Sequence, residues 1–290
     1  VKIVTDSGAD LWLSREEKRD LGIYVVPLTV ALNGNSFKEG VDIESEEFYD
    51  LLASTENLPT TSQPSNGDFA EMYRQVASED PDILSIHISS GLSGTVNSAR
   101  AAVEQVPEAN ITVVDTKTLS AAAGWQVAAA ARAAKAGWTL EEILPMIKRI
   151  GDSSESMYTL KELKYLIHGG RISHMRGLIA SVLNIKPLIG VETEGGTYVQ
   201  LGQKRAFNGA IRGIVDLIEK RYEAGSPLRV QVLHSMNPEG AEMLKAEVDD
   251  RFECDWLPLG PMSLVLGAHT GPSMVGVAFA PKEVFEDIPA

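Results

Sequence analysis

Apolar and polar positions alternate along the first half of the chain in blocks that switch between two periods. Residues 2–5, 83–88 and 111–115 are short apolar runs enriched in β-branched residues, the pattern of buried strands. Residues 23–27 read as another strand, continued by 28–32, and Asn33-Gly34-Asn35 marks a hairpin turn after it. Between these runs the period lengthens to that of helices. Ser14 and Glu17 form a capping box for a helix that stops at Gly22. Ser45 is expected to cap a helix with Phe48, Leu51 and Leu52 on one face. Ser65 is placed to cap one carrying Phe69, Met72, Tyr73 and Val76. Residues 96–104 form a helix, and an alanine-rich helix runs up to Gly137. Thr139 with Glu142 is a second capping box. Strand and helix in alternation predict a parallel sheet with helices on it.

Around residues 151–156 the alternation loosens, which sets a domain boundary and divides the chain into residues 1–155 and 156–290. Beyond it the pattern predicts a strand at 157–160, a helix at 161–167 capped by Gly169, and a helix at 174–184. A strand at 185–191 turns at Gly195-Gly196 into 198–201, an antiparallel hairpin. A helix at 206–223, a strand at 228–233, a helix opened by Pro238 and a strand at 275–279 follow. The expected fold class is two-domain α/β: an N-terminal parallel-sheet domain, then a C-terminal mixed-sheet domain with helices on one face.

Composition narrows the partners. The chain has 290 residues and a net charge of −14, which argues against a nucleic-acid groove or an anionic membrane surface as its main partner. The single cysteine, Cys254, permits no intrachain disulfide, consistent with a reducing compartment. No apolar run reaches membrane-spanning length, so no integral membrane segment is expected. The start of the chain reads as a strand rather than a signal peptide, and a cytoplasmic location is the expectation. No pair among His87, His168, His174, His234 and His269 has zinc-like spacing, and no metal site is expected.

Three polar segments carry the candidate chemistry. Ser89-Ser90-Gly91-Leu92-Ser93-Gly94-Thr95 joins a strand to a helix. Its glycines allow close backbone approach, and a helix start offers free N–H groups and a positive dipole end, which suits a small anion. The same residue types also serve as plain helix caps. The segment matches neither the dinucleotide fingerprint nor the P-loop. Pro59 to Ser65 clusters hydroxyls on a loop stiffened by two prolines. The run from Leu266 to Ser273 places His269 in a loop flanked by glycine and proline.

Several segments together resemble the DegV family, whose members include the lipid-binding subunits of bacterial fatty acid kinase. They are Val4 to Leu11, Thr61-Ser62-Gln63-Pro64-Ser65, Ser89 to Thr95, Val114-Asp115-Thr116-Lys117, Gly169-Gly170-Arg171-Ile172-Ser173, Leu183 to Leu188 and His269-Thr270-Gly271-Pro272, in order over nearly the whole chain. The resemblance implies a two-domain DegV-like fold with a fatty acid buried at the domain interface and no other cofactor. It implies that Thr61, Ser93 and His269 form a hydrogen-bond network on the fatty acid carboxylate. It also implies a fatty acid kinase catalytic subunit as partner, with Arg171 and, more weakly, Arg205 at the docking surface. Ser273 departs from the family, which often has glycine there, and the alanine-rich helix at 121–134 could reshape the tail pocket.

On this reading the protein is a carrier rather than an enzyme. It binds a long-chain fatty acid and presents the carboxylate to a separate kinase that forms the acyl phosphate. Tail-pocket candidates are Ile179, Val182, Leu183, Leu188, Ile189 and Leu264 to Leu266. Two other readings are open. A serine hydrolase would use Ser93 as nucleophile and His269 as base, although the run around Ser93 is not a G-x-S-x-G elbow. A nucleotide-binding regulatory α/β protein is the third.

Overall fold

The computed structural model describes residues 1–172, 175 and 185–289. In chain order the elements are β1 (Lys2–Asp6), α1 (Arg15–Asp20), β2 (Ile23–Val26), β3 (Thr29–Leu32), β4 (Asn35–Lys38), α2 (Ser45–Ala53), β5 (Thr60–Ser62) and α3 (Asn66–Ala77). Next come β6 (Asp82–His87), α4 (Thr95–Val103), β7 (Asn110–Asp115), α5 (Ser120–Lys135), α6 (Leu140–Ser153), β8 (Glu155–Thr159) and α7 (Lys164–His168). The remainder is β9 (Lys186–Val191), β10 (Tyr198–Lys204), α8 (Phe207–Glu219), β11 (Pro227–His234), α9 (Pro238–Asp249), β12 (Glu253–Trp256), β13 (Gly260–Pro261), α10 (Leu264–Thr270) and β14 (Val275–Pro281). The helix expected at 174–184 lies outside the described residues except for Met175.

The N-terminal sheet is parallel, in the order β2-β1-β6-β7. Its strands are apolar on both faces because both are covered. Phe69, Tyr73 and Val76 of α3 and Ala99 and Ala102 of α4 fill one side. The other side packs on α5. The run at 23–32 is not one strand. It breaks at Pro27-Leu28, and β3 leaves the parallel sheet to pair antiparallel with β4 and β5. Proline has no N–H to continue a ladder, so the chain changes sheets there. The hairpin turn has Asn33 at φ 54° and Gly34 at φ 81°, the left-handed pair of a tight two-residue loop.

The C-terminal sheet is mixed, in the order β10-β9-β8-β14-β11-β12, with β13 also on β11. One face carries Val230, Val232, Val277 and Phe279, packed against Ile211, Ile214 and Ile218 of α8 and Leu244 of α9. The opposite face, with Tyr158, Ala278 and Ala280, belongs to a core shared with α5 and α6. Those two helices therefore lie between the two sheets. The alanines let α5 pack closely on its neighbours: Ala121, Ala122, Ala123, Ala129, Ala130, Ala131 and Ala133 are all buried. Trp125 crosses to the second sheet and donates its indole N–H to Gln231 Oε1 at 2.9 Å.

The capping boxes at Ser14/Glu17 and Thr139/Glu142 are both formed, and Ser65 caps α3 reciprocally with Asp68. Ser45 does not cap. It is the first residue of α2, and the N-cap is Glu44, whose side chain makes no capping bond. No helix among the described residues is long and apolar enough to cross a membrane.

Candidate functional site

The loop after β6 divides its hydroxyls between two tasks. Ser89 Oγ donates to the Gly196 carbonyl at 2.8 Å, tying the loop to the β9–β10 turn of the second domain. Gly91 is pressed onto the same turn: a Cβ there would overlap the Gly195 carbonyl and lie 2.8 Å from Thr197. Ser90 Oγ donates to Asp115 Oδ2 at 2.5 Å, and Lys117 Nζ lies 3.0 Å from the same oxygen. Ser90 thus serves the turn and not a ligand. Ser93 and Thr95 remain, with their hydroxyl oxygens 2.8 Å apart at the first turn of α4. Ser93 Oγ also accepts the Thr95 N–H at 3.3 Å, a local turn just before the helix, whose N-cap is Gly94.

Thr61 and His269, 208 positions apart, are brought into direct contact: Thr61 Oγ1 and His269 Nε2 are 2.7 Å apart. Pairing with β3 fixes Thr61 opposite Val30. His269 is not in a loop. It lies in the last turn of α10, a seven-residue helix that ends at Gly271, where φ is 74°. Gly271 ends the helix in a positive-φ, extended-ψ conformation that glycine adopts readily, and Pro272 follows it. The Gln63 side-chain amide packs directly on Gly94, where a Cβ would displace it. The Thr61 and Ser93 segments are therefore neighbours as well.

His269 is buried, and its imidazole is pushed down to about 3, first by burial and then by the charges of Arg171 and His168. It is neutral at physiological pH. Its Nδ1 is buried, has no hydrogen-bond partner among the described residues and faces Gly169, where a Cβ would overlap it. A bare nitrogen lone pair is cheaper to leave unpaired there than an N–H. That favours the tautomer in which Nε2–H donates to Thr61 and leaves the Thr61 proton free to point onward. His87 has a different task. Its Nδ1 lies 2.9 Å from Asp6 Oδ2 and its Nε2 2.6 Å from Ser85 Oγ, all buried under the parallel sheet.

Arg171 is half-buried and turned inward. Its Nε donates to the Leu92 carbonyl at 3.2 Å and Nη1 to the Gly169 carbonyl at 2.5 Å. It thereby braces the Ser93 loop against the segment that packs on His269. Arg205 is exposed, between β10 and α8. Ser273 Oγ accepts the Lys161 N–H at 2.9 Å, so the residue that departs from the family pattern holds its turn by a bond glycine could not make.

A narrow cavity of about 40 Å³ lies between the start of α5 and the inner face of the C-terminal sheet. Its wall is mostly apolar: Leu119 from the first domain, and Tyr158, Tyr198, Met262, Met274 and Ala278 from the second. Thr270, the residue after His269, reaches the same wall. The rings of Tyr158 and Tyr198 meet edge to face at 5.4 Å. Of the expected tail-pocket residues, Leu188 faces α8 in the other core. Ile189, Leu264, Val265 and Leu266 are buried without lining this cavity. Ile179, Val182 and Leu183 are outside the described residues. The tyrosines and methionines that do line it escaped sequence reading. The only signal was positional: Met262 and Met274 flank the His269 segment, and methionine is the side chain that adapts to irregular gaps.

The hydrolase geometry requires Ser93 bonded to an imidazole that is oriented by an acid. Here Ser93 bonds Thr95, and His269 bonds Thr61. Cys254 is half-buried on β12, and burial pushes its thiol up to about 12, the state of an unreactive cysteine.

The family model described as "Uncharacterised protein, DegV family" matches residues 1–282. The chain belongs to the DegV family. A DegV domain-containing protein of Deinococcus radiodurans is 34% identical over 279 residues, covering 96% of this chain and 95% of that one. Among solved structures, a DegV family protein from Thermus thermophilus, described by its fatty acid binding, superposes with a TM-score of 0.86 at 30% identity, covering 97% of this chain and 99% of that one. DegV of Bacillus subtilis, described as a fatty acid binding protein, gives 0.85 at 26% identity, again over 97% and 99%. The DegV fold thus accounts for the whole arrangement of two sheets with α5 and α6 between them.

Proposed function

We propose that this DegV-family chain binds a long-chain fatty acid between its N-terminal domain (1–155) and its C-terminal domain (156–290), and presents the carboxylate to a separate kinase. The observation that carries the reading is the Thr61–His269 hydrogen bond beside Ser93, next to an apolar cavity walled from both domains. The fatty acid binding described for the relatives from Thermus thermophilus and Bacillus subtilis supports it. The neutral imidazole donates to Thr61, and the hydroxyls of Thr61 and Ser93 donate to the carboxylate. The start of α4 and the nearby Arg171 charge favour an anion there without a direct ion pair. The acyl chain occupies the cavity. Burial contributes about 0.8 kcal/mol per methylene, so on the order of ten methylenes contribute roughly 8 kcal/mol before ordering costs. The tail dominates affinity and the head fixes orientation.

The kinase would supply ATP and transfer its terminal phosphoryl group to a carboxylate oxygen, forming an acyl phosphate. The kinase partnership rests on the family resemblance. Arg205, exposed, and Arg171, through the loop it braces, are the proposed docking residues. Native mass spectrometry of protein purified without added lipid tests the reading. The expected spectrum contains a fatty acid adduct. Thr61→Ala and Ser93→Ala should each weaken retention by roughly ten- to a hundredfold, the worth of one hydrogen bond to a charged group, while the urea midpoint moves little. Wild-type protein that neither retains nor takes up fatty acid would sink the proposal.

A further inference from the structure

The apolar cavity does not end at a thick wall. Ser156 and Val191 line it, and the same two residues line a larger crevice on their other side, about 1060 Å³ of empty space open to solvent. They stand next to each other by register: β8 pairs with β9 at Met157–Gly190, so one step further along the antiparallel ladder sets Ser156 beside Val191. The crevice has a polar rim that includes Lys117 and Asp152, each engaged in an ion pair, Lys117 with Asp115 and Asp152 with Lys148. Its floor is apolar, formed by Val114, Leu144 and Ile147. Ser156 Oγ is buried and has no partner among the described residues, which is unfavourable for a hydroxyl in such a wall. What the small side chain provides is a thin partition. Any larger residue at 156 would thicken it from the strand face that also carries Tyr158.

We propose that the Ser156–Val191 pair sets the acyl chain length this protein accepts. The methyl end of a long saturated chain passes this pair and rests on the Val114–Leu144–Ile147 floor, whereas a shorter chain ends inside the cavity. The inference rests on the fatty acid reading above and deepens it. Neither residue touches the head-group cluster of Thr61, Ser93 and His269, so length selection is separable from carboxylate binding.

The test is a competition of lauric, palmitic and stearic acids on the intact protein, read by native mass spectrometry. Ser156→Phe should hold lauric acid as the wild type does and lose stearic acid relative to it by about fourfold for each methylene shut out of the crevice. Val191→Ala, which thins the partition from β9, should shift the preference the opposite way and keeps the test decisive if the phenylalanine variant does not fold. Ser156→Ala should leave the preference unchanged, because bulk and not the hydroxyl is what matters. An unchanged length preference in a folded Ser156→Phe or in Val191→Ala overturns the proposal, as does a Ser156→Ala shift as large as that of phenylalanine. Wild-type protein that binds none of the three acids would instead overturn the fatty acid reading itself.

Discussion

At its first turn α10 is held by two carboxylates, and at its last turn it carries an imidazole that burial keeps neutral. At the first turn Asp10 Oδ1 accepts the Ser263 N–H at 2.8 Å, and Glu39 accepts the Ser263 hydroxyl at 2.9 Å and the Leu264 N–H. Ser7 and Ser120 donate to the same carboxylates at 2.7 and 2.5 Å. These bonds satisfy N–H groups that a helix start leaves unpaired, and they tie the second domain to the first. Burial pushes both carboxyls up to about 7, against the opposing pull of those serine bonds. At the other end burial pushes His269 down to about 3. Both ends favour the uncharged form, but their effects on stability have opposite signs. Asp10 and Glu39 bind protons more tightly folded than unfolded. Their contribution is present at low pH and is lost as pH rises from about 4 through about 7. His269 binds its proton more weakly when folded. Its contribution is present above the ordinary histidine value of 6.5 and is lost as pH falls toward about 3. One short helix thus carries two pH dependences that partly cancel.

The largest effect is expected at Gly169. A methyl group there collides with His269 Nδ1 and forces the imidazole off Thr61. Gly169→Ala is expected to cost about 1–3 kcal/mol of stability in urea unfolding, as overpacking does, and to abolish fatty acid retention. His269→Gln comes next. It should lower retention, and its thermal midpoint should then fall steadily between pH 5 and pH 8, because only the carboxylates still titrate in that sense. A midpoint that still rises across that range would show that the opposing signs are misassigned. Glu39→Gln sharpens the other side. Retention should stay near wild type, while stability at pH 8 rises relative to pH 5 as one of the two raised carboxyls is removed. Arg205→Ala, exposed and far in sequence from α10, is expected to have the smallest effect on the chain itself: unchanged melting and unchanged lipid retention, with slower phosphorylation by a fatty acid kinase as the only readout that moves.

Much of the framework was legible beforehand. Short β-branched runs marked β1, β6 and β7, the Asn33-Gly34 turn marked the β3–β4 hairpin, and Ser14, Ser65 and Thr139 marked three helix starts. These features depend on neighbours within a few positions, where backbone sterics and local hydrogen bonds decide. The errors fall where two local signals compete. Leu264 to Thr270 is helical although Gly267 interrupts it, because Gly267 lets Tyr49 of α2 come against the helix. The strand reading through Pro27 failed because a change of sheet leaves the apolar pattern intact.

The amino-acid order by itself determined the alternation of strands and helices, the three hydroxyl- and imidazole-bearing segments and the DegV likeness. Each is a matter of residue type and short spacing. Only the tertiary structure decided that Thr61 meets His269 across 208 positions, that Ser89 and Ser90 brace turns while Ser93 stays at the start of α4, and that Arg171 faces inward. It alone decided the cavity, whose wall gathers residues from α5, β8, β9, β10, β11, β14 and the segments around α10. A cavity is the space that packing leaves over. It depends on how whole layers come together, and no spacing along the chain encodes it.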